Sequence, residues 1–296
     1  MFIMDIIKIH LGELEEYSKK NKVKRPLGRF FDGENMEILN TNELKNSIIN
    51  KLENSIINNK ILILSMNPNN EEKSYKNFII KKCEQFNIKY VDKEFQVDTN
   101  LNDIIAFTNS FDENDGFILL LPFNKYKNLD KIREGIKIKD LDGFTYNSQG
   151  KALNGFIDYL PATPKATARF LESIIEIKGK NIVIANNTNL IGLPLATYLS
   201  KKGASVSILN EFSKNQKTAI LESDIFISAI GRANYFDNSY FKDGQILIDV
   251  GTSVVNGMIV GDINYDDLKD LDLKVLTSKR GIGALTTLTL IQSLID

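Results

Sequence analysis

Seven residues, Asn186-Asn187-Thr188-Asn189-Leu190-Ile191-Gly192, separate an apolar run ending at Ala185 from a segment with helical spacing that begins at Leu193. A turn leading from a strand into a helix N-terminus offers free N–H groups and a partial positive charge, which suits a phosphate. Nineteen residues beyond Gly192 stands Glu211, just after the next apolar run. That is the spacing of a carboxylate that accepts from the adenosine ribose of NAD, and its charge would repel a 2′-phosphate. An exposed loop glutamate is the plainer alternative. Asn tolerates positive φ better than most side chains, yet it keeps a pyrophosphate farther away than Gly would, so the turn is a weak phosphate signature. Other reactive groups are scarce, with one cysteine, Cys83, and one histidine, His10. An internal disulfide and a clustered thiolate metal site are excluded, no metal is expected, and acid–base chemistry falls to Asp, Glu, Lys or Tyr unless His10 folds back.

These residues need a scaffold of alternating strands and helices. Lys60–Leu64, Lys89–Val91 and Gly116–Leu121 read as strands, with helices expected over Thr41–Asn58, Glu71–Phe86 and Leu101–Phe111. The second half repeats the rhythm. Its strands are Asn181–Ala185, Ala204–Leu209, Ile225–Ala229 and Gln245–Asp249, with a helix from Leu193 to Lys202. Such alternation implies an α/β protein with mainly parallel sheets, covered on both faces and open to ligands at the strands' carboxyl ends. Residues 1–35 end in the basic stretch Lys22–Arg29 and read as a short helix with a connector.

Composition bounds the partners. The chain has 296 residues, of which 43% are hydrophobic, so it can bury one or two cores, and its length favours about two domains. Its 37 basic and 38 acidic side chains leave a net charge of -1, which supplies no overall field for nucleic acid or an anionic membrane. The longest apolar runs, such as Phe117–Phe123, fall well short of the roughly 18 residues of a spanning helix. Residues 1–11 carry acids and lack a signal-like cleavage region, so the cytoplasm is expected.

Short blocks run from near Met36 to the last residues: Tyr75 in Ser74–Cys83, Asp115–Pro122, Lys139–Phe144, Pro161–Lys165, Asn187–Pro194, Ile248–Gly251, Val260–Asp262 and Gly281–Gly283. In that order they resemble the bifunctional methylenetetrahydrofolate dehydrogenase/cyclohydrolase family. The resemblance implies two α/β domains flanking a cleft, the second a Rossmann-like doubly wound parallel sheet. Residues 36–161 and 285–296 would form the folate-type domain, residues 162–284 the NAD(P)-binding domain, and residues 1–35 an extension. It also implies a folate substrate and a homodimer.

Residue by residue, the resemblance carries departures. The family has a tyrosine followed four positions later by a catalytic lysine, on one face of a helix. Here Tyr75 matches the tyrosine, whose ring would stack on folate, but Ile79 replaces the lysine. Leu120 replaces the glutamine that helps hold the lysine, and Asp142 matches an aspartate that contacts the pterin. Neither Ile79 nor Leu120 can move a proton, help that is worth about 10²–10⁴-fold. Losing one polar partner strands the other, whereas replacing both with apolar groups can be nearly neutral, so the pair reads as a pocket rebuilt without cyclohydrolase chemistry. Lys76 and Lys82 are no ready substitutes, at the wrong angle and the wrong height respectively.

On the nucleotide side, Asn186, Asn187, Thr188 and Gly192 stand in the family's Gly-Arg-Ser-x-x-Val-Gly turn, and Gly231 lies in a later loop that lacks the family's proline. Asn187 replaces the arginine associated with NADP, and Phe212 stands where a second basic residue is common. With Glu211 added, NAD is favoured over NADP. Lys279 and Arg280 bring two cations to a loop that has none in the family. The expectation is a dehydrogenase that has lost its cyclohydrolase step. A catalytically silent ligand- or partner-binding relative is the alternative, and a full bifunctional enzyme ranks third.

Overall fold

The computed structural model describes residues 36–123 and 129–296. His10 and the expected N-terminal helix and basic connector lie outside the described residues. Strand β1 (Met36–Ile38) and helix α1 (Asn42–Glu53) precede a series of β2 (Lys60–Met66), α2 (Asn70–Gln85), β3 (Lys89–Phe95), α3 (Leu101–Thr108), β4 (Gly116–Leu119), α4 (Asp130–Gly135) and β5 (Lys139–Asp140). Helices α5 (Tyr146–Leu153) and α6 (Ala162–Ile174) lead to β6 (Asn181–Ala185), α7 (Gly192–Lys201), β7 (Ser205–Leu209), α8 (Gln216–Glu222), β8 (Ile225–Ser228) and β9 (Ile246–Asp249). A hairpin of β10 (Ser253–Val255) and β11 (Met258–Val260), then β12 (Leu273–Leu276) and α9 (Ile282–Gln292), complete the order.

Two parallel sheets result, one with strand order β3-β2-β4-β5 and one with order β1-β12-β9-β8-β6-β7. Ile61 to Leu64 of β2 are fully buried, as expected of a continuous apolar run flanked on both sheet edges and covered on both faces. The boundary expected at Met36 needs one correction. Residues Met36–Ile38 pair in parallel with Leu273–Val275 and so form the edge of the second sheet, where Met36 packs in the same apolar cluster as Phe226, Leu247 and Val275. The chain therefore starts its described course on the second sheet and crosses to the first through α1.

Helix α6 joins the two halves, packing against α7 on one side and α9 on the other, while α9 also contacts α1 and α2. Nine residues of α9 are buried, so it is a helix covered all round. The helix expected to run to Asn58 ends at Glu53. Asn54 Nδ2 and Ser55 Oγ donate to the carbonyls of Asn50 and Lys51, competing with continued helix, and Ile56 is left 92% exposed. Helix α3 stops at Thr108 rather than Phe111, and β3 extends to Phe95 beyond its expected end at Val91.

Candidate functional site

Two cavities flank the turn between β6 and α7. The first is lined by Tyr75 from α2, by Ile118 to Leu121 at the end of β4, by Asp142 and Phe144 after β5, by Pro161 and Thr163 at the start of α6, and by Leu190. The fold thus gathers Tyr75, Leu120 and Asp142 from three separate segments. Ile79 lies one turn along α2 from Tyr75, fully buried in the apolar cluster that holds Tyr75 and Leu120. Among the described residues, no lysine lines this cavity. Lys76 instead places its ammonium 3.0 Å from Asp92 and 3.9 Å from Glu94 on β3, and Lys82 donates to Gln85 on its own helix.

Asp142 is held by local backbone. Gly143 adopts φ +61°, and a Cβ there would meet the Pro161 nitrogen at 2.7 Å, so only glycine lets the Asp-Gly turn nest against α6. Asp142 Oδ1 accepts from the Ala162 N–H at 2.8 Å in the first turn of α6. Burial pushes its carboxyl up to about 6, opposed by that N–H; Asp140 adds to the rise and Lys165 counters it. Tyr75 hydroxyl is buried without a hydrogen-bond partner among the described residues, and burial together with the Asp142 charge raises its pKa well above the usual phenol range. A ring to stack on, a phenol and a carboxylate in an otherwise apolar hollow can bind a flat heteroaromatic ligand with N–H donors. They offer no cationic proton donor.

The second cavity brings together Ala185 to Thr188, Leu209 to Glu211, Gln216, Ala229, Ile230, Arg232, Tyr235 and Phe236. Asn186, Asn187, Thr188 and Glu211 therefore meet in one place, at the carboxyl ends of β6, β7 and β8. Gly192 and Gly231 do not line it and serve backbone geometry. A Cβ on Gly192 would sit 1.8 Å from the Asn186 carbonyl oxygen, and Gly231 turns at φ +66°. Asn186 acts as a latch. Its Oδ1 accepts from Thr188 N–H at 2.9 Å, Thr188 Oγ1 at 2.8 Å and Gly192 N–H at 2.9 Å, while its Nδ2 donates to the Ala229 carbonyl at 2.7 Å. Thr188 Oγ1 in turn accepts from Ile191 N–H, and Leu193 N–H donates to the Thr188 carbonyl. Several donors that a pyrophosphate would use are thus satisfied within the turn. The carboxylate of Glu211, the small residues Ala185 and Ala229, and the open space above them fit the adenosine half of a nicotinamide dinucleotide.

The floor of this cavity rests on a buried carboxylate pair that the sequence reading left unassigned. Asp262 accepts from Ser228 Oγ at 2.6 Å, Ile230 N–H at 2.7 Å and Arg232 N–H at 2.8 Å. Asp249 accepts from Tyr265 hydroxyl at 2.5 Å and from the N–H groups of Asp262 and Ile263. Burial raises both carboxyls above their usual range, and the Asp262 charge adds to the rise at Asp249. A Cβ at Gly251 or Gly261 would come within about 2 Å of one of these carboxylates, which is why glycine follows Val250 and precedes Asp262. Arg232 was also missed. Its only sequence signal was its place beside Gly231. Lys279 is exposed and lines neither cavity, Phe212 is 82% exposed, and the Arg280 side chain lies outside the described residues.

The family profile described as "Tetrahydrofolate dehydrogenase/cyclohydrolase, NAD(P)-binding domain" matches residues 161–296. The bifunctional protein FolD of Clostridium beijerinckii is 30% identical over 272 residues, which is 90% of this chain and 96% of that protein. The FolD of Petrotoga mobilis is 31% identical over 85% of this chain and 91% of its own length. Among solved structures, the bifunctional FolD enzyme of Campylobacter jejuni superposes with a TM-score of 0.81 at 26% identity, covering 88% of this chain and 97% of that one. With the fold and this similarity over most of the chain in agreement, the chain belongs to the methylenetetrahydrofolate dehydrogenase/cyclohydrolase family.

Proposed function

We propose that this protein is a methylenetetrahydrofolate dehydrogenase that has lost the cyclohydrolase step. The observation that supports the reading is the lining of the first cavity: Tyr75, Leu120 and Asp142 meet there, Ile79 is buried in the apolar cluster behind, and no lysine among the described residues joins them. Tyr75 would stack on the substrate, and Asp142 would accept from its ring N–H groups. Leu190, at the wall shared with the turn, brings the nucleotide domain against the same hollow. A nicotinamide cofactor supplies the hydride acceptor when bound, and Asn187, Thr188 and Glu211 would hold its adenosine half. Hydride transfer depends on relative placement and needs no protein lysine. Ring opening of the methenyl product needs proton handling that Ile79 and Leu120 cannot give.

On the same reading the cofactor is NAD, because Asn187 carries no charge and Glu211 would oppose a 2′-phosphate, and the protein is a cytoplasmic homodimer. The domains follow the division into residues 36–161 with 285–296 and residues 162–284, apart from the strand Met36–Ile38. A silent binding relative is the second reading. The observation that favours it is the latch of Asn186, which occupies donors that a pyrophosphate would otherwise receive. Calorimetric titration with NAD, NADP and tetrahydrofolate separates the two. The dehydrogenase reading expects NAD and folate to bind and NADP to bind more weakly, and binding of none would contradict it.

A further inference from the structure

We infer that Arg232 and Tyr235 form an adenine-stacking wall opposite Glu211, with Arg232 binding adenosine through the flat face of its guanidinium. The inference rests on the dinucleotide reading of the second cavity and deepens it. Gly231, at φ +66°, reverses the backbone after β8, and Asp262 then fixes the Arg232 N–H at 2.8 Å, so the residue leaves a pinned point of the loop. Two further bonds anchor the following residues: Asn234 N–H donates to the Gly261 carbonyl and Phe236 N–H to the Asp262 carbonyl, at 2.9 and 3.0 Å.

The side chain is steadied as well. Its guanidinium carbon lies 5.7 Å from the centroid of the Tyr235 ring. Tyr235 meets Phe236 edge to face at 4.9 Å, and Phe236, 2% exposed, meets Phe226 in the core at 4.9 Å. An aromatic ladder thus runs from the hydrophobic core to a guanidinium that is exposed at the cavity wall and forms no ion pair among the described residues. Glu211, on the loop after β7 that lines the same cavity, is likewise unpaired among the described residues. A ligand that satisfies both walls has hydroxyl donors for the carboxylate and a π face for the guanidinium. Adenosine has both. A guanidinium over a purine gains from cation–π attraction and stacking, which an ammonium of equal charge on a flexible stem cannot reproduce.

Calorimetric titration of the full chain with NAD, adenosine 5′-monophosphate and nicotinamide mononucleotide tests this, with Arg232→Ala, Arg232→Lys and Tyr235→Leu alongside the wild type. Stacking predicts that Arg232→Ala weakens NAD and the adenosine nucleotide by about tenfold. Arg232→Lys should weaken them nearly as much, and nicotinamide mononucleotide, which lacks adenine, should bind as to the wild type. Tyr235→Leu should reproduce part of the loss, and it stands in if either Arg232 variant fails to fold. If Arg232→Lys keeps wild-type affinity with steep salt dependence, the residue is a phosphate partner and the stacking assignment is overturned. Unchanged affinity in Arg232→Ala overturns it too while leaving the dinucleotide reading intact. A wild type that binds none of the three overturns both.

Discussion

At the scale of single residues, the first cavity turns on what stands at 79 and 120. Restoring Ile79→Lys alone would place a cation in an apolar cluster, where desolvation strips its charge, and Leu120→Gln alone would give an amide with no proton to direct. The double variant is therefore expected to show more methenyltetrahydrofolate hydrolysis than the sum of the singles, read as a non-additive cycle in the decay of methenyl absorbance. A folded, folate-binding double variant without activity would place the defect elsewhere. Asp142 makes a second test. Its carboxyl is raised to about 6, so in the folded state it holds a proton more tightly than when unfolded. The sign follows: the cost of burying its charge is present above pH 6 and is relieved as pH falls toward the ordinary carboxylate range. Asp142→Asn should remove that part of the pH dependence, seen as a flatter curve of thermal midpoint against pH between 7 and 5.

At the scale of elements, the turn from β6 to α7 is the part most sensitive to small changes. Gly192→Ala would drive a methyl to 1.8 Å from the Asn186 carbonyl, and the backbone must give way. A loss of about 3 kcal/mol in unfolding free energy is expected. Asn186→Ala removes an acceptor shared by three donors and the bond to the Ala229 carbonyl, at a cost of roughly 2–3 kcal/mol by denaturant titration. The sequence made this element legible as a strand, a seven-residue turn and a helix, because the apolar runs and the glycine were local signals. It did not reveal that Asn186 bonds inward, since that depends on the Ala229 carbonyl arriving from β8. The sequence blocks hold Asp249 and Asp262, but their pairing and the bond to Arg232 are not legible there for the same reason: each is defined by partners 13 to 34 residues away. In the first cavity, Tyr75, Leu120 and Asp142 are legible through a resemblance of short blocks, and the ion pair of Lys76 on β3 agrees with the angle that its place on the helix gives it.

At the scale of the whole molecule, the last residues tie the two halves together. Asp296 lies 2.6 Å from the ammonium of Lys51 on α1 and 2.9 Å from the guanidinium of Arg169 on α6, beside the packed helix α9. Burial would raise its carboxyl, but the hydrogen bonds from Lys51 and Arg169 prevail and hold it below the usual range. Its contribution is therefore present at neutral pH and lost as pH falls through that depressed value. Lys51 is half exposed, so solvent screening limits the effect, and Asp296→Asn should lower stability by about 1 kcal/mol at pH 7 and by less near pH 3. On the proposed function, the two sheets, the wall at Leu190 and this clamp would hold the two ligands in place for hydride transfer.

The account's central claim is that the oxidation survives while the hydrolysis does not, and one assay addresses both halves. Purified protein is mixed with methylenetetrahydrofolate and NAD, and reduced cofactor and methenyl absorbance are followed together. The prediction is reduced NAD appearing with an equal amount of methenyltetrahydrofolate that then persists, decaying no faster than in buffer. Reduced NAD without lasting methenyl product would show that another group performs the ring opening. Absence of reduced cofactor with either NAD or NADP would contradict the dehydrogenase assignment.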